Sequence, residues 1–471
     1  MNFPISRRRF LQASLATLAA GGLPAAWGAG TRNPPNILFV AFDDLNSWVG
    51  CLNGYKGKVQ TPNLDALAAS GTLFTNAHCA IPLCNGSRVS TLTGLAPAQT
   101  KIFENISVWR DQPQLKHVQT LPQLFRAGGY RAIGSGKIFH HHDAASWDEY
   151  WPDNDNGFLP EPVEPDNEHP RKGGPPQYRK DATFDWSPID TPVEQLPDYR
   201  VASWISEQLH KPQTAPLFIG CGFGKPHLPW YLPQQYFDRY PLDSIQLPDV
   251  LDNDLSDIPA AGRALVNEYL HKDVVRLGFW KKAVQAYLAS ITFADEQFGR
   301  VMHALQTSAL SKNTIVVVWS DHGWHLGEKL QWRKLTLWEE ATHIPLIMSG
   351  PSIAAGKRCD APVSSLDLAP SLLGLAGLAT PATLHGHSLQ PLLQQADSDW
   401  PYAAVTTWEN GSNALRTRDF RYILYGDGSE ELYDHRSDPH EWYNLAPQMK
   451  FADTRNKLKQ QLLQELKRLA G

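Results

Sequence analysis

Cys84 opens the run Cys84-Asn85-Gly86-Ser87-Arg88-Val89-Ser90-Thr91-Leu92-Thr93-Gly94, a small-residue turn leading into a helix. Backbone N–H groups and the helix dipole favour an anion at such a place, and Arg88 adds positive charge one turn on. The adjacent acids Asp43-Asp44 follow an apolar run. Two like charges there repel and lose hydration, a cost most simply removed by a cation. Asp321, at the end of another apolar run, completes a hard, oxygen-rich set suited to Ca²⁺ or Mg²⁺, with His322 as a further ligand or neighbour. Lys137 with His140, and Lys225 with His227, each set a cation beside a proton-transfer group. Singly, each feature has an ordinary explanation: a helix cap, a packed thiol, a solvated charge. Jointly they describe an anion held beside a metal, a nucleophile and an acid–base pair. His141, His142 and His325 carry no such argument. Cys51, Cys79, Cys221 and Cys359 read as buried structural cysteines, and Lys334, by pattern alone, as a helix-surface charge.

The elements that must position these groups are short runs rich in Val, Ile, Leu and Phe, alternating with helical stretches. That is the pattern of parallel strands covered on both faces by helices. Strands are expected at 36–42, 130–135, 216–222, 314–320 and 344–349. Asp43-Asp44, Lys137 with His140, Lys225-Pro226-His227 and Asp321-His322 each follow one of them, where a doubly wound sheet binds its ligands. Thr61-Pro62-Asn63 predicts a helix start with a capping hydroxyl, closed by Gly71. A long amphipathic helix is expected at 280–305. The polar, proline-rich stretch 141–198 is too long for a plain connection and is expected to be irregular structure over the site or a surface loop. Beyond about 396 the texture changes to short aromatic-rich runs at 403–408 and 420–425 with a Gly-Asp-Gly turn at 426–428, ending in a helix at 454–469. The expected fold is therefore α/β, a mixed and mostly parallel sheet flanked by helices, with a smaller antiparallel-sheet subdomain. The expected divisions are 1–30, 31–395 and 396–471.

The formal net charge is −5 over 471 residues, so composition gives no support for binding nucleic acid or anionic lipid. Ser6-Arg7-Arg8-Arg9-Phe10-Leu11-Gln12, followed by an Ala/Gly/Leu-rich stretch to about Ala29, has the layout of a twin-arginine export signal. It implies the twin-arginine translocase as a partner, a periplasmic or secreted destination and no membrane attachment after its removal. Its apolar part is broken by Gly21, Gly22 and Pro24, too short for an anchor. Five cysteines are too few and scattered for a disulfide framework; one bridge among the four besides Cys84 stays open.

With these motifs in order, the chain resembles the type I, formylglycine-dependent sulfatases of the alkaline phosphatase superfamily, and is most similar to the iduronate-2-sulfatase and choline-sulfatase branch. The resemblance spans about 36–445 and rests on Ile37-Leu38-Phe39-Val40-Ala41-Phe42-Asp43-Asp44, Thr61-Pro62-Asn63-Leu64-Asp65-Ala66-Leu67-Ala68, Cys84-x-x-Ser87-Arg88 with Leu92-Thr93-Gly94, Gly136-Lys137-Ile138-Phe139-His140, Lys225-Pro226-His227, Ser320-Asp321-His322-Gly323-Trp324 and Leu432-Tyr433-Asp434. It implies an alkaline-phosphatase-like fold, and Ca²⁺ bound by Asp43, Asp44, Asp321 and His322. It further implies that a formylglycine-generating maturation enzyme converts Cys84 to 3-oxoalanine (formylglycine), whose hydrate is metal ligand and nucleophile. Arg88, Lys137 and, through the resemblance alone, Lys334 would neutralise the sulfate oxygens. His227 would protonate the leaving oxygen and His140 would act as the base. The family's usual motif has Pro or Ala where this chain has Gly86; glycine's freedom in a turn is expected to preserve conversion.

The implied substrate is a sulfated saccharide or small molecule. An iduronate-2-sulfate-like sugar leads, because the long stretch 141–198 is expected to shape a pocket and carries Arg171, Lys172, Arg179 and Lys180, with a solvated basic patch as the equal alternative for these four. Choline sulfate stays open, since sixteen tryptophans are ample for an aromatic cage. A phosphodiesterase or phosphonate monoester hydrolase of the same superfamily is the main rival. A non-catalytic sugar-binding protein is disfavoured by the full set of metal, nucleophile and acid–base residues.

Overall fold

Eight buried residues, Asn36–Asp43 (β1), form the strand from which the site is built. Their apolar side chains go to both faces, as a strand covered on both sides requires. The computed structural model describes residues 33–154, 157–161 and 184–470, and all elements below belong to the unit Pro35–Gly471. The expected export signal at 1–30, and Arg171, Lys172, Arg179 and Lys180, lie outside the described residues.

The main sheet has eight strands: β1, Thr72–Phe74 (β2), Arg131–Gly136 (β3), Glu149–Trp151 (β4), Leu217–Pro226 (β5), Thr314–Ser320 (β6), Leu346–Ser349 (β7) and Lys357–Cys359 (β8). Their spatial order is β8-β2-β7-β6-β1-β5-β3-β4. Every neighbouring pair is parallel except those made by β7. One face packs on Pro62–Ser70 (α1), Pro197–His210 (α4) and Trp280–Thr307 (α5) through Leu38, Val40 and Phe42. The other packs on Cys84–Thr93 (α2), Leu121–Ala127 (α3) and Leu368–Leu375 (α6) through Ile37, Phe39 and Ala41.

A second, antiparallel sheet takes Ala404–Thr407 (β9), Asn413–Arg416 (β10), Phe420–Leu424 (β11) and Glu430–Asp434 (β12) in sequential order. One face holds the helix Ala452–Ala470 (α7) through Leu415, Tyr422, Leu432, Leu458 and Leu462. Ile423, Tyr425 and Tyr433 pack instead on Leu83, Leu337 and Trp338.

Three details differ from the sequence reading. The strand expected at 216–222 runs on through Pro226. Thr61 makes no side-chain cap; its hydroxyl accepts from Gly50 N (2.8 Å), and the first N–H groups of α1, on Asn63 and Leu64, are taken by the Asp295 carboxylate at 3.2 and 2.8 Å. Cys51 is half-buried rather than buried, and all five cysteines are free thiols. Among the described residues, no helix is long and apolar enough to cross a membrane.

Candidate active site

Asp43 ends β1 where its pairing with β5 shifts register between Ala41 and Asp43. Asp44 follows with φ 66°, a left-handed conformation costing a non-glycine residue about 1–2 kcal/mol. The turn is pinned from both sides. Tyr287 donates its hydroxyl hydrogen to Asp44 O (2.7 Å) and accepts from Asn46 N (3.0 Å), while Ser320 Oγ accepts from Leu45 N (3.0 Å). Both carboxylates thereby turn toward the end of β6, where Asp321 Oδ1 accepts from Asp44 N (3.1 Å) and His322 N (3.0 Å).

Cys84 is the first residue of α2, and no side chain of the preceding Leu83 caps the helix. The segment 102–107 lies against that first turn: Asn85 N donates to Asn105 Oδ1 (3.1 Å), and Asn85 Nδ2 to Glu104 O and Ser107 O, both at 2.9 Å. This explains Gly86. A Cβ there would stand 2.4 Å from Ile102 O and 3.0 Å from two Ile81 atoms, so the close approach of the two backbones requires glycine.

Arg88 is fully buried. Its Nε donates to Asp321 Oδ2 (2.9 Å), Nη1 to Lys137 O and to Ile138 O (3.2 Å), and Nη2 lies 3.4 Å from both Phe42 O and Asp43 Oδ1. Its donors thus face the protein's own carboxylates and carbonyls. Lys137 Nζ pairs with Asp43 Oδ2. Lys334 Nζ donates to Asp44 Oδ1 (2.6 Å) and to Cys84 Sγ (2.9 Å). His322 Nε2 is 3.3 Å from Cys84 Sγ and from Asp44 Oδ1. Its Nδ1 faces Gly323 O at 2.9 Å, which fixes a proton there and aims Nε2 at the carboxylates.

Could these residues hold a cation? Asp43 Oδ1 and Asp44 Oδ2 are buried without a hydrogen-bond partner. Ligand atoms of Asp43, Asp44, Cys84 and His322 all lie within 4.8 Å of one another. Two carboxylates and an imidazole around orphaned oxygens fit a divalent cation. Asp321 borders this group, Oδ1 3.6 Å from His322 Nε2, with Oδ2 taken by Arg88.

The charges confirm how tightly the cluster is coupled. Burial by itself would raise the Cys84 thiol, but Lys334, Lys137 and His322 outweigh it and hold the thiol well below its ordinary value. Burial likewise opposes Asp43 ionisation, and Lys137 overcomes it. Burial lifts Asp321 to about 7 against the pull of Arg88. His322, which burial would push down, is raised to about 9 by Asp321. A bound cation would compete with that proton.

A cavity of about 480 Å³ opens on this cluster, lined by Asp43, Lys137, His140, Lys225 and His227, with Leu196, Val201, Leu228 and Phe293 as apolar wall. His227 Nδ1 faces Leu228 O and Nε2 lies 3.8 Å from Asp44 Oδ2. His140 is half-buried within reach of Cys84, its Nδ1 without a partner. Two neighbours gave no sequence signal. Glu161 Oε1 accepts from Lys225 Nζ (2.6 Å), and the Asp198 carboxylate, pushed up to about 6 by burial, accepts from Gly224 N (2.7 Å) and Lys225 N (2.9 Å). Lys225 is thereby turned from the carboxylates of β1 toward the cavity wall.

Lys334, which the sequence pattern placed on a helix surface, is instead buried in a segment almost without regular structure. Lys329, Leu330, Arg333 and Leu335 all have positive φ, at 56°, 52°, 74° and 76°, each costing about 1–2 kcal/mol. The only ladder there pairs His325–Leu326 with Trp332–Arg333.

A sequence-family model described as "Sulfatase" matches residues 35–378, and one described as "N-sulphoglucosamine sulphohydrolase, C-terminal" matches 327–468. A sulfatase of Formosa agariphila is 40% identical over 427 residues, covering 88% of this chain and 84% of the relative. Human iduronate 2-sulfatase is 30% identical over 396 residues, covering 74% and 70%. A solved protein in complex with its substrate D-glucosamine-2-N,6-O-disulfate superposes with a TM-score of 0.75 at 22% identity, covering 93% of this chain and 98% of that one; at this identity the likeness speaks to the fold.

Proposed function

Because this chain belongs to the sulfatase family, within the alkaline phosphatase superfamily, we propose that it is an exported sulfuric ester hydrolase releasing inorganic sulfate from a sulfated carbohydrate of the iduronate-2-sulfate kind. The observation that carries the reading is Cys84 at the start of α2, in contact with Lys334 and His322 and beside the orphaned oxygens of Asp43 and Asp44. The sugar class draws support from the iduronate 2-sulfatase relative.

Asp43, Asp44 and His322, with Asp321 at their border, would hold the cation, for which we propose Ca²⁺ on the strength of the hard carboxylate oxygens. When bound, that ion would supply positive charge that favours the ionised nucleophile. Cys84, oxidised to formylglycine by a maturation enzyme and hydrated by water to a gem-diol, supplies one hydroxyl as the nucleophile, which attacks sulfur as the ester oxygen leaves. Arg88 has its nitrogens on Asp43, Asp321 and main-chain carbonyls, so its part is to fix the two carboxylates and contribute charge from behind. Lys137 and Lys334 neutralise the sulfate oxygens. His227 faces the cavity and protonates the leaving oxygen; His140, beside Cys84, takes the proton of the second hydroxyl, so that the aldehyde re-forms as its bond to sulfate breaks. The segment 1–30 is read as a twin-arginine signal giving a periplasmic or secreted enzyme, 31–395 as its catalytic part and 396–471 as its C-terminal part.

The test is activity of protein co-expressed with a formylglycine-generating enzyme, on a uronate-2-sulfate disaccharide, choline sulfate and a phosphonate monoester. The reading expects the highest kcat/KM on the sulfated sugar. A preference for choline sulfate would move the substrate to the choline-sulfatase kind. A preference for the phosphonate, or no turnover by fully converted enzyme, would overturn it.

A further inference from the structure

We propose that Arg421, acting with Glu441, is a positioning residue for catalysis: from the C-terminal sheet it fixes the segment that carries Lys334. The proposal rests on the reading above that Lys334 acts on the sulfate group.

The segment cannot hold itself. Four left-handed non-glycine residues surround Lys334 and a two-residue ladder is its only sheet pairing, so its conformation must be imposed by what packs on it. Arg421, on β11, is fully buried. Its Nη1 donates to Leu337 O at 3.0 Å, three residues from Lys334. Its Nε donates to Glu441 Oε1 at 2.5 Å, and its Nη2 pairs with Glu339. Glu441 Oε2 accepts from Glu339 N at 2.9 Å, and Glu441 O accepts from Lys329 Nζ, which also donates to Asp254 Oδ1 at 2.8 Å. The 337–339 end of the Lys334 segment is therefore tied to the side chains of this buried charge pair, and the Lys329 end to the Glu441 main chain beside it. Trp338 adds a bond to Glu431 Oε2 (2.8 Å), and Leu337 and Trp338 share an apolar cluster with Leu83, the neighbour of Cys84.

Glu339, His435 and Glu441 approach closely enough to be considered as metal ligands, but hydrogen-bond donors, two of them arginines, already occupy the carboxylate oxygens. Arg416 Nε lies 3.1 Å from Glu339 Oε2, His435 Nε2 lies 2.9 Å from Glu441 Oε1, and Arg421 bridges both acids. The cluster is a charge hub whose outputs are hydrogen bonds to the backbone beyond Lys334. With Lys334 Nζ at 2.6 Å from Asp44 and 2.9 Å from Cys84 Sγ, a shift of that backbone moves the ammonium group away from the reacting atoms.

The experiment is a double-mutant cycle of Lys334→Met and Arg421→Met in the full, converted enzyme, with kcat and KM normalised to the aldehyde content of Cys84. Misplacement near 1 Å is worth on the order of 10²-fold in rate. The expected result is a loss of that order in kcat for each single variant, with KM changed far less. In the Lys334→Met background, Arg421→Met should cost no more than about twofold further, because both act through one group. Arg421→Lys, which keeps the charge and one donor, should recover part of the loss. Glu441→Gln, nearly isosteric, runs the same cycle if Arg421→Met does not fold. An equal factor in both backgrounds would mean a merely structural role and overturn the proposal, as would an Arg421→Met enzyme of unchanged kcat. Unchanged kcat in Lys334→Met by itself would instead bring down the role of Lys334, and the proposal with it.

Discussion

Replacing Gly86 by alanine, one of the residues the family usually carries at this position, should harm this chain. In a free helix the change would stabilise by up to about 1 kcal/mol. Here the new Cβ meets Ile102 O at 2.4 Å, and main chain yields less readily than a side-chain tip. Recovering ordinary contact near 3.4 Å moves the segment 102–107 by about 1 Å, enough to break one or two of the three hydrogen bonds that Asn85 makes with it. Those bonds are worth about 0.5–1.5 kcal/mol each and overpacking about 1–3 kcal/mol, so the net cost is about 0.5–5 kcal/mol after a propensity gain of about 1 kcal/mol. With an unfolding entropy of about 2.1 cal/mol/K per residue, a chain this long should lose roughly 0.5–5 °C in Tm. Calorimetry reads the global effect, and hydrogen exchange of a peptide over 101–108, which should speed up in the variant, reads the local one. A Gly86→Ala protein as stable as the parent, with unchanged exchange there, would refute the close-approach reasoning.

Asp44→Asn should weaken Ca²⁺ binding by about 10-fold or more, since it removes charge from a hard-cation set; titration calorimetry on ion-stripped protein checks this, and unchanged affinity would remove Asp44 from the ligand set. His227→Ala should lower kcat by about 10²–10⁴-fold on a sugar sulfate and far less on a nitrophenyl sulfate, whose leaving oxygen needs no proton; equal losses on both would argue against the acid role. His271 accepts from Trp332 Nε1 at 3.2 Å, and burial pushes it from 6.5 down to about 4. The unfolded chain then takes up the proton first, so the stability His271 contributes is full above pH 6.5 and is lost as pH falls through 4. His271→Gln should flatten that part of the Tm–pH curve, and an unchanged slope would contradict it.

Much of the site was legible because it hangs on the ends of β1, β3, β5 and β6, whose apolar runs announce themselves. Asp43, Asp44, Lys137, Asp321 and His322 needed only the rule that ligands gather beyond such ends. Lys334 was legible only through the family resemblance, since left-handed backbone around it leaves no period to read. Asp295, which caps α1 in place of Thr61, lies 231 positions from Leu64, a pairing no local pattern encodes. Strands β10 and β12 went unmarked because they bury Arg416 and Glu431, charges that only the folded charge network satisfies. The direction of Arg88 was likewise a tertiary matter, as a buried guanidinium goes where carboxylates and carbonyls already stand.

The most direct measurement is peptide mass spectrometry of residue 84 in protein made alongside an active formylglycine-generating enzyme. An aldehyde in place of the thiol, with sulfate release that scales with its fraction and vanishes in Cys84→Ala, is the predicted result. An intact thiol, while a control sulfatase in the same cells is converted, would contradict the proposed nucleophile.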